Sequence, residues 1–93
     1  MAAAEMTETA VGGPIGAGSS NSKSGLSWGV YSATIVTTLD WIIFGDFSEV
    51  KYVKASVDSS GADNVCVIDG TTKNKVTVTS TGATTFFVVG IKA

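Results

Sequence analysis

From residue 28 onward the chain is a succession of short runs of β-forming residues, each closed by a turn signal after about ten residues. That cadence leaves no room for a helical period and predicts an all-β domain: a small antiparallel β-sandwich or barrel. The first run, residues 30–38, alternates so that Tyr31, Ala33 and Ile35 share one face. Residues 41–44 form a short buried strand between turns at Asp40 and at Gly45-Asp46. In residues 49–58 the alternation slips: Val50 and Tyr52 share one face, then Val53, Ala55 and Val57 share the other. A bulge near Tyr52, or burial on both faces, accounts for the slip. Residues 65–69, 75–80 and 84–91 complete the set, with Val65 and Val67 opposite Cys66 and Ile68, and with Val76 and Val78 inward. Successive hairpins make a meander the simplest expected order.

Residues 1–27 are of another kind. They hold five glycines, one proline and a Ser/Asn cluster in their second half, and only Val11, Ile15 and Leu26 as apolar residues there. The division predicted is a Gly/Ser-rich extended N-terminal arm over 1–27 and a β-domain over 28–93. The first ten residues have the composition for a turn or two of helix, which is marginal in isolation. Glu5 and Glu8 stand where a secretory signal wants positive charge, and no run approaches the length of a membrane span.

A domain of this size buries only about 60% of its unfolded surface and normally needs a staple. The chain has one cysteine and no histidine, so neither an intrachain disulfide nor a Cys/His zinc site is open to it. Oligomerisation remains. With no arginine, six scattered lysines and a net charge of −2, the chain has no basic stripe for nucleic acid.

Catalytic chemistry finds no foothold. Residues 13–24 look like a phosphate-binding loop, but Ser22 precedes Lys23 where the pattern needs glycine, and no strand leads into it. Nucleophilic catalysis on a histidine base is impossible here. Cys66, between Val65 and Val67, reads as a buried, inert thiol. The carboxylates fall into two loose groups, Asp40, Asp46 and Glu49, then Asp58, Asp63 and Asp69, without glycosidase or calcium-loop spacing. Residues 58–64 read as a turn. No catalytic residue, cofactor or metal is expected, and the chain reads as a non-enzyme.

The segment Trp41-Ile42-Ile43-Phe44 packs four large side chains into a row, and alternation sends two to each face. A core strand and a contact patch are both consistent with it, and residues 86–89 pose the same question. The candidate interface residues are Val11, Pro14, Ile15, Leu26, Trp28, Trp41, Ile42, Ile43 and Phe44. The first four would anchor the arm on another polypeptide.

The strand–turn cadence of residues 47–92 resembles small β-rich virion proteins of tailed phages and related viruses. It is carried by Ser48-Glu49-Val50-Lys51-Tyr52-Val53-Lys54-Ala55-Ser56, Asp58-Ser59-Ser60-Gly61-Ala62-Asp63-Asn64-Val65, Asp69-Gly70-Thr71, Lys75-Val76-Thr77-Val78-Thr79-Ser80 and the final Thr84-Thr85-Phe86-Phe87-Val88-Val89-Gly90-Ile91-Lys92. The resemblance covers about half the chain and carries no catalytic signature. It implies a capsid decoration (cement) or minor tail protein located in the virion. Its partners would be itself, in a homo-oligomer, often a trimer, and a major capsid or tail protein, with no nucleic acid and no membrane. The residues 41–44 are more apolar than that resemblance leads one to expect. The alternative is a receptor- or carbohydrate-binding β-sandwich on a fibre or cell surface, with Trp28, Tyr31 and Trp41 as stacking faces.

Overall fold

A computed structural model describes residues 2–15 and 26–93. Seven strands occur in them and no helix: β1 (Thr9–Ile15), β2 (Leu26–Ile35), β3 (Trp41–Ile43), β4 (Phe47–Val57), β5 (Cys66–Ile68), β6 (Lys75–Val78) and β7 (Gly82–Lys92). They form two antiparallel sheets, a larger one in the order β1-β2-β7-β4 and a smaller one in the order β3-β6-β5. The expected all-β antiparallel class is what the structure shows.

The order is not a meander. β2, β4 and β7 lie in one sheet while β3, β5 and β6 lie in the other, so the chain crosses between sheets four times after β2. Inward alternation fills the space between them. Tyr31, Ala33 and Ile35 from β2, Phe86 and Val88 from β7, and Phe47, Val50 and Ala55 from β4 meet Ile42, Phe44, Val76 and Val78. Phe44 is the hub of an edge-to-face cluster, its ring 5.3 Å from that of Tyr31 and 5.7 Å from that of Phe86. Edge-to-face contact suits the ring quadrupoles, and each such pair adds about 0.5–1.5 kcal/mol beyond its area.

The crossing from β2 to β3 is held by Asp40, which is buried. Its carboxylate accepts the backbone N–H groups of Val36, Thr37 and Ala4 at 3.0, 2.8 and 2.8 Å. Burial raises the carboxyl pKa, but the bonds from Thr37, Ala4 and Val36 outweigh it and hold Asp40 below its ordinary value. Leu39, beside it, takes a positive φ of 71°. At the opposite side, buried Asn64 ties the β4–β5 connection to the β6–β7 connection. Its Nδ2 donates to the Ser80 carbonyl and to Thr84 Oγ1, and its Oδ1 accepts from Ser80 N–H.

The N-terminal segment is extended, as anticipated, and not helical, and its described part lies on its own domain. Met6 N–H donates to the Trp41 carbonyl and Trp41 N–H donates to the Ala4 carbonyl, so the segment runs beside β3. Met6 packs against the core. The chain then crosses to the larger sheet, where β1 pairs with β2 from Thr9↔Ser32 to Ile15↔Trp28. Backbone pairing needs no apolar side chains, which is why a composition poor in them did not reveal it. The boundary between residues 27 and 28 is likewise no break, since β2 begins at Leu26.

Candidate functional site

Several titratable groups are engaged singly, each with its own partner. Asp63 pairs with Lys54 at 2.9 Å and Glu49 with Lys51 at 2.7 Å. Asp58 accepts from Thr85 Oγ1 at 2.6 Å, and Asp69 caps the turn at Thr71 and Thr72 N–H. Tyr31 donates its hydroxyl to Asp46 at 2.9 Å. Burial first, then the bond to Asp46 and its charge, push that phenol well above its ordinary range. Among the described residues no group of three or more His, Cys, Asp or Glu is placed to hold a metal ion. Cys66 is half-buried, donates to the Asn64 carbonyl, and is pushed up to about 11 by burial. A groove of about 410 Å³ runs along Thr7, Thr9, Ser32, Thr34 and Asp58, and the only carboxylate in its lining is the one bonded to Thr85.

The feature that stands apart is the outer face of the larger sheet. Antiparallel register sets the side chains of β2, β7 and β4 in rows. One row is Leu26, Ile91 and Glu49; the next Trp28, Val89 and Tyr52; the next Val30, Phe87 and Lys54; the last Ser32, Thr85 and Ser56. The first three rows are apolar at seven of nine positions, and both charges lie on β4. Trp28, Phe87, Ile91 and Tyr52 are 43, 41, 38 and 52% exposed, far above the core side chains on the opposite face of the same strands. The Trp28 and Phe87 rings lie 6.3 Å apart, tilted at 37°.

A bulge builds the β4 column of this face. The register shifts between Val50 and Tyr52, so of the two explanations for the slip the bulge is present, and Val50 and Tyr52 do not share a face, contrary to expectation. Val50 therefore points into the core and Tyr52, two residues on, points out beside Val89. The bulge presses the Glu49–Val50 backbone against Gly90, where a Cβ would stand 2.2 Å from the Glu49 carbonyl oxygen. Only glycine permits that approach.

The residues singled out from the sequence are not brought together. Leu26 and Trp28 lie on the open face, and Val11 is exposed on the edge strand β1. The side chains of Pro14 and Ile15 lie outside the described residues, as do residues 16–25 of the expected arm. Ile42 and Phe44 are fully buried and so are core, because they are the inward pair of the four. Trp41 and Ile43 are the outward pair, half-covered, with the Lys75 ammonium 4.6 Å from the Trp41 ring centre. Of the three proposed stacking faces, Tyr31 is buried and Trp41 is capped by Lys75, leaving Trp28. Val30, Tyr52 and Ile91 were missed, and Phe87 and Val89 were raised only as part of the run 86–89. Their signal was the doubly apolar run at residues 86–89 together with the slip at Tyr52.

Comparisons with known protein families, with characterised proteins and with solved structures each return no match.

Proposed function

We propose that the protein is a non-enzymatic structural subunit that works by packing the outer face of its larger sheet against a neighbour in an assembly. The observation that carries the reading is the set of aromatic and aliphatic side chains at Trp28, Val30, Tyr52, Phe87, Val89 and Ile91 on one partly exposed face. Contiguous apolar surface of this kind marks contact sites, and its burial yields about 25 cal/mol per Å². Repeated copies on a lattice would add avidity to a modest pairwise contact. The strand–turn cadence of residues 47–92 supports a virion setting, as a decoration protein on a capsid or a minor tail component, with itself and a major capsid or tail protein as partners. Unlike the arrangement expected from composition, this one does not use the N-terminal segment as a tether, since residues 2–15 are occupied on their own domain.

The test is the solution mass of the full chain across concentration. Reversible growth beyond the 9.4 kDa of one chain is expected. A folded chain that stays monomeric and does not co-sediment with shells or tails would remove the basis for the reading.

A further inference from the structure

The larger sheet can meet a neighbour through its edges or through its outer face. Strand addition is obstructed at both ends of the larger sheet. β1 carries Pro14, a Gly13 with φ of 83°, and register shifts after Ala10 and after Gly12, devices that spoil an edge for pairing. The outer side of β4 is already engaged: Val50 N–H donates to the Lys73 carbonyl, Val57 N–H to that of Ala62, and the Ala55 carbonyl accepts from Asn64 N–H. The face remains.

We propose that this face seats a second copy of the same chain, packed face to face about a twofold axis. The inference rests on the structural-subunit reading and names its first partner. Three observations select a copy over other occupants. First, the only charges in the apolar rows, Glu49 and Lys54, are each neutralised by an ion pair within their own domain, with Lys51 and Asp63. A face with no net charge can meet itself without repulsion and offers nothing to an anionic membrane or nucleic acid. Second, the centre of the face is Val30, Phe87 and Val89, with no hydrogen-bonding side chain, which suits a dry protein contact better than a sugar ring. Third, the size is right. Three strands at about 4.8 Å and ten or eleven residues at about 3.4 Å give a face of about 14 by 35 Å, so two copies would bury on the order of 1,000 Å², the size of a weak, reversible dimer contact. Aligned sheets pack at about 10 Å with a small crossing angle, and an isologous contact closes at two copies, where the resemblance to virion proteins implied a homo-oligomer that is often a trimer.

The experiment is sedimentation equilibrium on the full chain, with Phe87→Lys and Tyr52→Lys on the face and Val11→Lys on the β1 edge. Expected are a monomer–dimer equilibrium for the parent, dissociation raised about tenfold or more by each face variant, and no change for Val11→Lys. Circular dichroism establishes that each variant is folded. Should Phe87→Lys fail to fold, Tyr52→Lys, at a side chain half in solvent, carries the test alone. Association that survives both face variants, or that weakens with Val11→Lys, overturns the proposed face while leaving the structural reading intact. A trimer disrupted by the face variants overturns the twofold arrangement. A parent that stays monomeric at every concentration, or stays monomeric while retained on polysaccharide beads, overturns the proposal outright.

Discussion

Replacing Gly90 by alanine is expected to destabilise the domain more than any other single methyl addition to its described strands. The added Cβ would stand 2.2 Å from the Glu49 carbonyl oxygen, 3.0 Å from Val50 Cα and 3.1 Å from the Glu49 carbonyl carbon. All three are backbone atoms, so no side chain can swing aside, and β4 must retreat by about 1 Å to restore contact distance. That retreat pulls on Phe47 and Val50, which are 0 and 3% exposed, and on the Val50 N–H bond to Lys73. Overpacking of this kind costs about 1–3 kcal/mol, and each ladder bond weakened adds about 1 kcal/mol. Against this, alanine gains about 0.4–1 kcal/mol by restricting the unfolded chain. The clash wins, and the net loss is about 2–3 kcal/mol, or on the order of 10–20 °C in Tm for a domain of this size. Urea unfolding monitored by tryptophan fluorescence measures it, with Gly12→Ala as the control, since a Cβ at Gly12 meets nothing within 4 Å. The control is expected to stay within about 0.5 kcal/mol of the parent. A Gly90→Ala variant as stable as the parent would refute the idea that bulge and glycine interlock, and with it the reason Tyr52 faces outward.

Three further outcomes follow from single sites. The Asp40 carboxyl is held below its ordinary value in the folded state, so its contribution is complete above the unfolded pKa near 3.8 and is lost as pH falls through the folded value. Melting temperature should therefore drop below about pH 4, and Asp40→Asn should be less stable at pH 7 with a flatter acid limb; identical acid limbs would contradict this. Leu39→Gly relieves a left-handed residue whose side chain is 53% exposed, and should raise stability by about 1 kcal/mol in urea titration; a loss of that size would show that Leu39 packs. The Cys66 thiol, raised to about 11, should react with iodoacetamide at pH 8 far more slowly in the native protein than in urea; equal rates would mean that the β5 edge opens freely.

Part of the core was legible because strands alternate with a fixed period. Val76 and Val78 were placed inward from spacing, and Tyr31, Ala33 and Ile35 were placed on one shared face, without the direction of that face being read; the structure buries both sets. The bulge was legible too, since a slip from Val50 to Val53 has few physical causes. Strand order was not. The short run at residues 41–44 says that it is buried, but not which sheet it joins, and that choice is made by Asp40 gathering three backbone N–H groups from two segments. The N-terminal pairing was invisible for a related reason: β1 is held by backbone bonds, which leave no trace in side-chain hydropathy. The open face was half legible. The paired aromatics Phe86 and Phe87 announced a two-sided strand, but only the β2-β7-β4 register shows that Trp28, Phe87 and Tyr52 share a surface.

Trp28 reports on that surface directly. In a Trp41→Phe background its emission reads the environment of the face alone, from about 1 µM to several hundred µM protein. A progressive blue shift with concentration, reversed on dilution, is the expected result, because the indole leaves water as the face is covered. An emission maximum unchanged over the whole range, in a sample whose mass is increasing, would contradict the claim that this sheet face is where the protein meets its neighbour.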